Sequence, residues 1–172
     1  MKLLMISDIH GDFKSLEKVL KNENFDRLVV LGDLFSYGKI ILDLNNNEII
    51  KLLKKYKDKL ILIRGNCDYF INYEKIGLYA NDIITIRVNN HDITLTHGNR
   101  YYRGFMPDFH GDIFASGHTH IPSIIKERDI IYINPGSIGL PRSGSQKSYL
   151  VFDDNYIEIK TIDGALEKRM NI

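Results

Sequence analysis

The feature that most constrains the fold is a series of short apolar runs, each of which ends abruptly in polar residues. The first run, Leu3 to Ile6, is continuous and suits a strand buried on both faces of a parallel sheet. It gives way directly to the polar stretch Ser7 to Asp12. Two further runs, 28–31 and 60–63, end in the same manner. Because ligands bind at the carboxyl ends of strands in open α/β sheets, these polar ends predict a site.

Amphipathic segments separate the first three runs and predict helices. Apolar residues recur at helical spacing after Asp12, which can act as the N-cap of that helix. Asn45 to Asn47 can cap a second helix, which extends to Tyr56. The first half of the chain is therefore predicted to be β-α-β-α-β.

The second half has the pattern of antiparallel hairpins. The predicted strand pairs are 83–88 with 92–96, 123–126 with 130–133, and 149–152 with 156–162, and a short strand lies at 113–115. Parallel βαβ units followed by hairpins favour an α/β fold in which two sheets pack together with helices outside. No linker or repeat divides the chain, so we expect one domain over residues 1–172.

Composition indicates which kinds of binding partner and which cellular compartment the chain is suited to. The 23 basic and 22 acidic residues give a net charge of +1, which argues against a broad nucleic-acid-binding surface. Cys67 is the one cysteine, so no intrachain disulfide can form and a reducing cytosol is favoured. The first apolar run is too short for a signal peptide, and no run reaches transmembrane length. We therefore expect a cytoplasmic protein without a membrane partner.

Five of the predicted strand ends carry groups that can ligate a metal ion. These groups are Asp8, His10, Asp33, Asn66, His97, His118 and His120. Two carboxylates, one amide oxygen and four imidazoles are too soft a set for magnesium or calcium, and the thiolates of structural zinc are absent. Seven ligands are too many for one catalytic ion with an open position, but they suit two ions that share a carboxylate.

Local spacing supports this interpretation. Asp8 and His10 are two residues apart, so an extended backbone would direct both side chains to the same face. Glycines precede Asp33, Asn66 and His118, and they would permit tight turns and close approach of the backbone.

The ordered set Asp-x-His, Gly-Asp, Gly-Asn, His and Gly-His-x-His, over residues 8–120, resembles the calcineurin-like metallophosphoesterases. The stretches 65–68 (Gly-Asn-Cys-Asp) and 134–137 (Asn-Pro-Gly-Ser) are most similar to the small YfcE-like phosphodiesterase branch. The resemblance implies an α/β fold, a four-layer αββα sandwich of two mixed β-sheets flanked by helices.

The resemblance also implies roles for the donors. One divalent cation would be held by Asp8, His10 and His120, a second by Asn66, His97 and His118, and Asp33 would bridge the two. Manganese is expected by family analogy, with nickel, iron and zinc as alternatives. The implied activity is metal-dependent hydrolysis of a small phosphodiester by in-line attack of a metal-bridging hydroxide, without a nucleophilic side chain.

Two positions depart from the common family pattern. Many members carry a histidine after the Gly-Asn pair, where this chain has Cys67, a poor proton donor to an alkoxide. The general acid is therefore unassigned, and leaving groups that depart without protonation are favoured. Members often read His-Gly-His where residues 97–99 read His-Gly-Asn, which predicts substrate contacts different from those of relatives.

Several residues outside the ligand set are candidates for supporting roles. His10, beside its role as a ligand, and Asp68 are candidates for fixing the geometry of the site, although Asp68 could equally be a plain turn residue. Arg100, Arg103 and Cys67 are candidate substrate contacts, with solvated surface as the alternative for each arginine.

Other functions compatible with the same motifs are a phosphomonoesterase and a cyclic-nucleotide phosphodiesterase. A non-enzymatic alternative is a protein-docking scaffold that resembles the retromer subunit with this fold, but this chain keeps every ligand position. The aromatic residues near 69–73 and 101–105 could pack in the core or in a homodimer interface.

Overall fold

The computed structural model describes residues 1–37, 43–108 and 110–172. The strands are β1 (Leu3–Ile6), β2 (Arg27–Val30), β3 (Leu60–Leu62), β4 (Ile83–Val88), β5 (His91–Thr96), β6 (Ile113–Ala115), β7 (Ser123–Glu127), β8 (Ile130–Asn134), β9 (Ser148–Asp153), β10 (Tyr156–Thr161) and β11 (Leu166–Asn171). The α-helices are α1 (Phe13–Asn22) and α2 (Glu48–Lys55), and short 3₁₀ turns cover Leu44–Asn46 and Asn66–Asp68.

The strands form two mixed sheets. A six-stranded sheet has the order β11-β10-β9-β1-β2-β3, in which β1, β2 and β3 are parallel and the remaining neighbours are antiparallel. A five-stranded sheet has the order β4-β5-β6-β8-β7, in which β5, β6 and β8 are parallel. The parallel strands therefore lie at the centre of the five-stranded sheet and in one half of the six-stranded sheet.

Strand β1 packs on both of its faces. Leu3 and Met5 join apolar side chains of the five-stranded sheet in a cluster between the sheets. Leu4 and Ile6 point the other way and pack in a cluster with residues of α1 and α2. All four side chains are fully buried, as the continuous apolar run predicts. The predicted sandwich of two mixed sheets with flanking helices is confirmed, and both α-helices lie against the six-stranded sheet.

Both predicted helix caps are present. The Asp12 carboxylate accepts a hydrogen bond from the Ser15 amide at 3.0 Å, and α1 buries Leu16 and Val19. The Asn47 side chain accepts one from the Ile49 amide at 2.9 Å at the start of α2. The longest of the described helices, α1, has ten residues, so no described helix could cross a bilayer.

Strand β11 is an element that the sequence pattern does not predict. It pairs with β10 at the edge of the six-stranded sheet, with a register shift near Ile159 and Lys160. Most of its residues are exposed, so it carries no alternation of buried and exposed apolar side chains. Backbone pairing holds this strand, and backbone pairing leaves little trace in the side chains.

A charged cluster fastens the end of α1 to the six-stranded sheet. The Glu23 carboxylate accepts hydrogen bonds from Lys2 at 2.8 Å, from the Tyr149 hydroxyl at 2.9 Å and from Lys160 at 3.2 Å. Burial alone would raise the pKa of Glu23, but these donors hold it below the ordinary value. The charged form is therefore favoured in the folded protein.

Replacement of Glu23 by Gln should destabilise the fold by about 1 kcal/mol near neutral pH, because three hydrogen bonds to a charged group are weakened. A carboxyl with a lowered pKa in the folded state stabilises above its unfolded pKa, and that contribution is lost as the pH falls. The difference between the two proteins in urea-unfolding free energy should thus shrink below about pH 4.

Glu17→Gln is the matched control, since the one ion pair of Glu17 with a described residue is an exposed i,i+4 pair with Lys21. It should change stability by a few tenths of a kcal/mol, within about 0.5. A Glu23→Gln difference that stays constant down to acidic pH would contradict the assigned role of the charge.

Candidate metal centre

All seven predicted donor residues come together at one edge of the two sheets. The parallel strands β1, β2 and β3 end at this edge, and so do β5 and β6. The donors follow these strand ends: Asp8, His10, Asp33, Asn66, His97, His118 and His120. Parallel strands bring their carboxyl ends together, so residues far apart in the chain become neighbours.

One half of the cluster joins β1 to β6. The Nε2 atom of His120 lies 3.2 Å from Oδ1 of Asp8 and 3.3 Å from Nε2 of His10. The His10 Nε2 atom is also 3.8 Å from Oδ1 of Asp8. Three ligating atoms of these residues thus face one point.

The other half joins β2, β3 and β5. The His97 Nε2 atom lies 3.1 Å from Oδ1 of Asn66 and 3.5 Å from Oδ2 of Asp33. The ring of His118 sits beside that of His97, with centroids 5.1 Å apart. The same Asp33 Oδ2 atom is 3.8 Å from His10 Nε2, so this carboxylate faces both halves.

Backbone carbonyls orient two of the imidazoles. Nδ1 of His97 is 2.6 Å from the Leu31 carbonyl oxygen, and Nδ1 of His120 is 2.5 Å from that of Leu140. A ring nitrogen that donates to a carbonyl carries the proton, so Nε2 of each neutral ring presents a lone pair to the cluster. These lone pairs face other acceptor oxygens, and the two repel each other. Only a cation between them, or additional protons, can remove that repulsion.

Unpartnered atoms point to the same requirement. Oδ1 of Asp8 and Nδ1 of His10 are buried and have no hydrogen-bond partner within residues 1–37, 43–108 and 110–172. A buried carboxylate oxygen without a donor is costly unless it coordinates a cation. The mixture of carboxylate, amide and imidazole donors is also one that transition-metal ions accept. The residues present therefore fit divalent metal ions.

The two carboxylates are held in the anionic form that metal binding needs. Burial acts to raise the pKa of Asp8, but the neighbouring imidazoles of His10 and His120, when they carry a proton on Nε2, move it well below its ordinary value. Burial likewise opposes the charge on Asp33, and its contacts with His97 and Cys67 lower the pKa. Both aspartates are therefore ionised near neutral pH.

Five of the donor residues have left-handed backbone conformations. Their φ values lie between 48° and 64°, and the residues are Asp8, His10, Asp33, His118 and His120. Such a conformation costs a non-glycine residue about 1–2 kcal/mol. The expectation of an extended backbone through Asp8 and His10 is wrong, because β1 ends at Ile6 and the chain curls to aim both side chains inwards.

The glycine before Asn66 permits contact between two ligand loops. A Cβ atom on Gly65 would lie 2.1 Å from Oδ1 of Asp33, closer than any side chain could tolerate. The predicted close approach of the backbone is therefore present between the loops after β2 and β3.

Asp68 fixes these same two loops. Its Oδ2 atom accepts hydrogen bonds from the amides of Asp33 at 2.8 Å and Gly65 at 3.0 Å, and its Oδ1 atom accepts one from Leu34 at 2.9 Å. The side chain is fully buried. Asp68 therefore connects the loop of Asp33 to the loop of Asn66, and it contacts no histidine in these bonds.

The other candidate residues occupy distinct places. Cys67 is buried, and burial together with the Asp33 carboxylate raises the pKa of its thiol to about 12. The Cys67 amide donates to Oδ1 of Asp33 at 2.8 Å. Arg103 binds Glu127, with Nε 2.9 Å from Oε2, whereas Arg100 is exposed beside the site. Their roles as substrate contacts stay predictions.

Sequence reasoning gave no role to several supporting groups. The Ser7 hydroxyl donates to Oδ2 of Asp8 at 2.6 Å, and the Ser137 hydroxyl donates to the Asp8 carbonyl at 2.7 Å. Asn134 donates to the Gly117 carbonyl at 2.8 Å, next to His118. The stretch 134–137 served only as a point of family resemblance, and nothing in the sequence marked Ser7.

Replacement of Asp68 by Asn should loosen both loops, because an amide offers one acceptor where the carboxylate offers two and places an NH₂ group against backbone donors. We expect a loss of about 2–3 kcal/mol in unfolding free energy and a metal affinity about 10–100-fold lower. Urea unfolding and titration of the metal-free protein with Mn²⁺ measure the two quantities.

The exposed Asp163, which pairs with Lys18, provides the control Asp163→Asn. This control should leave metal affinity unchanged. If Asp68→Asn also bound metal as the unaltered protein does, Asp68 would have no part in holding the ligand loops.

Comparison with known proteins places this site in a family. A model described as the calcineurin-like phosphoesterase superfamily domain matches residues 1–155. The chain is 28% identical over 167 residues to the phosphodiesterase YfcE of Escherichia coli K12, covering 92% of this chain and 91% of that protein. It superposes on the structure of the Escherichia coli YfcE phosphoesterase with a TM-score of 0.88 at 26% identity, over the full length of both chains.

Of two further similarities, the first bears on the family and the second on the fold alone. A probable metallophosphoesterase from Methanocaldococcus jannaschii is 31% identical over 166 residues, covering 94% of this chain and 81% of that one. Zinc-bound Vps29 from Entamoeba histolytica shares the fold at 20% identity, with a TM-score of 0.67 and 99% of each chain covered. The chain therefore belongs to the calcineurin-like phosphoesterase superfamily, and its relatives support a metal-dependent phosphoesterase.

Proposed function

We propose that the protein is a dinuclear metal-dependent phosphodiesterase that hydrolyses a small phosphodiester. The observation that carries this proposal is the position of Asp33, whose Oδ2 atom lies between His10 of one donor group and His97 of the other. A carboxylate shared by two groups of donors suits a pair of ions better than a single one.

The proposed ligand assignment follows the two halves of the cluster. Asp8, His10 and His120 would hold one cation, Asn66, His97 and His118 the other, and Asp33 both. Manganese is the ion that we propose, with nickel, iron and zinc as alternatives. A cytoplasmic location and a homodimer stay predictions.

Divalent cations in such a site lower the pKa of water and neutralise charge on phosphoryl oxygens. The protein itself contributes orientation. Carbonyl hydrogen bonds fix the His97 and His120 rings, and Asp68 fixes the loops that carry Asp33 and Asn66. The Cys67 thiol stays protonated near neutral pH, so we assign it no nucleophilic role.

The preferred leaving group depends on whether a side chain can protonate the leaving oxygen. Cys67 stands at the position from which a histidine could protonate the leaving oxygen, and a thiol with a pKa of about 12 transfers a proton poorly. We therefore propose that the preferred leaving groups are weakly basic oxygens, such as those of aryl esters.

Removal of the shared carboxylate tests the dinuclear site. The unaltered protein, stripped of metal and reloaded with Mn²⁺, should hold two ions per chain by elemental analysis. Asp33→Asn should hold fewer, and it should lose at least about 100-fold in kcat because the bridging charge is gone. Reloading in turn with Ni²⁺, Fe²⁺ or Zn²⁺ compares the alternatives.

Asp58→Asn, at an exposed aspartate, should match the unaltered protein in both readouts. One ion per chain in the unaltered protein, together with full activity, would rule out the dinuclear assignment. Retained partner binding without any turnover would favour the docking-scaffold alternative instead.

A pair of substrates with one leaving group tests the diester preference. We expect bis(p-nitrophenyl) phosphate to exceed p-nitrophenyl phosphate in kcat/KM by about tenfold, a difference of about 1.4 kcal/mol. The physical reason is binding outside the reacting phosphoryl group, because the second aryl arm of the diester can contact residues beside the donor cluster and the monoester has no such arm. A faster monoester would support the phosphomonoesterase alternative. Formation of a nucleoside monophosphate from a cyclic nucleotide tests the remaining one.

A further inference from the structure

A cleft of about 310 Å³ opens directly beside the donor cluster. Its lining includes Gly65 and Thr96, the residues that precede Asn66 and His97 in the chain. Arg64, Arg100 and Tyr101 also line it. We call it the Arg64–Arg100 cleft. Its volume lies at the lower end of the roughly 300–1,000 Å³ typical of small-molecule sites. A cleft of this volume is larger than a single phosphoryl group needs.

The lining of the cleft holds more positive than negative charge. Asp82 is the acidic residue in the lining, and its Oδ1 atom forms an ion pair with Nη1 of Arg64 at 3.9 Å, too far for a hydrogen bond. The Arg64 guanidinium also lies 5.5 Å from the centroid of the Tyr73 ring. Among the described residues, the arginines that form ion pairs are Arg64, Arg87, Arg103 and Arg169, and Arg100 is not among them. Two guanidinium groups therefore line the cleft against one carboxylate, and Arg100 is the one without an ion-pair partner among the described residues.

We propose that the Arg64–Arg100 cleft binds a part of the substrate beyond the reacting phosphorus, and that this part carries a carboxylate or a second phosphate. The inference rests on the proposed phosphodiesterase function. A phosphoryl group held at the donor cluster leaves one ester arm free to enter the neighbouring cleft. Guanidinium groups bind carboxylate and phosphate oxygens through paired, charge-assisted hydrogen bonds, which gives selectivity for an anion.

The contrast with Arg103 supports this assignment. Arg103 donates to Glu127 through two nitrogens, so its guanidinium is already engaged. Arg100, three residues earlier, has no such partner among the described residues and lines the cleft. An anionic substrate group is the partner that the position of Arg100 fits.

Two diesters with the same leaving group test the proposal. Both contain p-nitrophenol; the second arm is 2-carboxyethyl in one and the isosteric, neutral 2-carbamoylethyl in the other. Release of p-nitrophenolate by the manganese-loaded protein gives kcat/KM for each ester. The ratio of the two values measures selectivity for the negative charge and cancels effects on the chemistry at phosphorus.

We expect the unaltered protein to favour the carboxylate ester by about tenfold. Arg100→Gln and Arg64→Gln should each reduce that ratio by at least about threefold and leave the neutral ester nearly unaffected. Asp82→Asn should raise the ratio, because it removes the competing carboxylate. Arg87→Gln is the control, since Arg87 pairs with Asp92 at the far end of β4 and should not change the ratio.

Equal rates for the two esters, or a ratio that Arg100→Gln leaves unchanged, would overturn the proposal while hydrolysis itself upheld the proposed function. A parallel loss with both esters in Arg100→Gln would also overturn it, because that arginine would then bind the reacting phosphoryl group. If neither ester were hydrolysed, the proposed function would fail. Calorimetric titration of the metal-free protein with pyrophosphate would then test whether the cleft binds an anion. Equal pyrophosphate affinity in the unaltered protein and in Arg100→Gln would overturn the proposal.

Discussion

The structure depends on holding several electron-rich groups close together in a buried region, where they repel one another. Asp8 and Asp33 are buried carboxylates, and around them stand imidazole nitrogens whose lone pairs face the same space. Left to themselves these groups would separate or take up protons, because burial of uncompensated charge is expensive. Their convergence is therefore the main physical demand on the fold, and divalent cations of the kind that the family implies would satisfy it.

The fold meets that demand with rigid strands and backbone hydrogen bonds. Strand β1 is buried on both faces, so the loop that begins at Ser7 starts from a fixed point. Asp68 and Ser137 then bind backbone groups of the ligand loops rather than the ligands' side chains. The core thereby offsets the cost of five left-handed donor residues, and the side chains remain free to coordinate.

Charge around the site is arranged unevenly, and this bears on what the protein can bind. The donor cluster is anionic at Asp8 and Asp33, whereas the neighbouring cleft carries Arg64 and Arg100. A substrate with a phosphoryl group at one end and a second anion further along would match both regions once cations fill the cluster. The uncharged, protonated thiol of Cys67 lies beside Asp33 and adds no charge to either region.

The sequence by itself determined the first three parallel strands, the helix caps at Asp12 and Asn47, and the polar residues that follow the strand ends, because apolar runs and the polar residues after them are local signals. It did not give the parallel pairing of β5, β6 and β8, since hairpin patterns dominate that half of the chain. It could not give the left-handed turns at Asp8 and His10, the edge strand β11, or the Asp68 bonds between two loops. Only the tertiary structure decided that Arg100 faces a cleft while Arg103 is held by Glu127. Backbone pairing and contacts between distant loops leave no periodic mark on side chains, so such features exist only once the chain has folded.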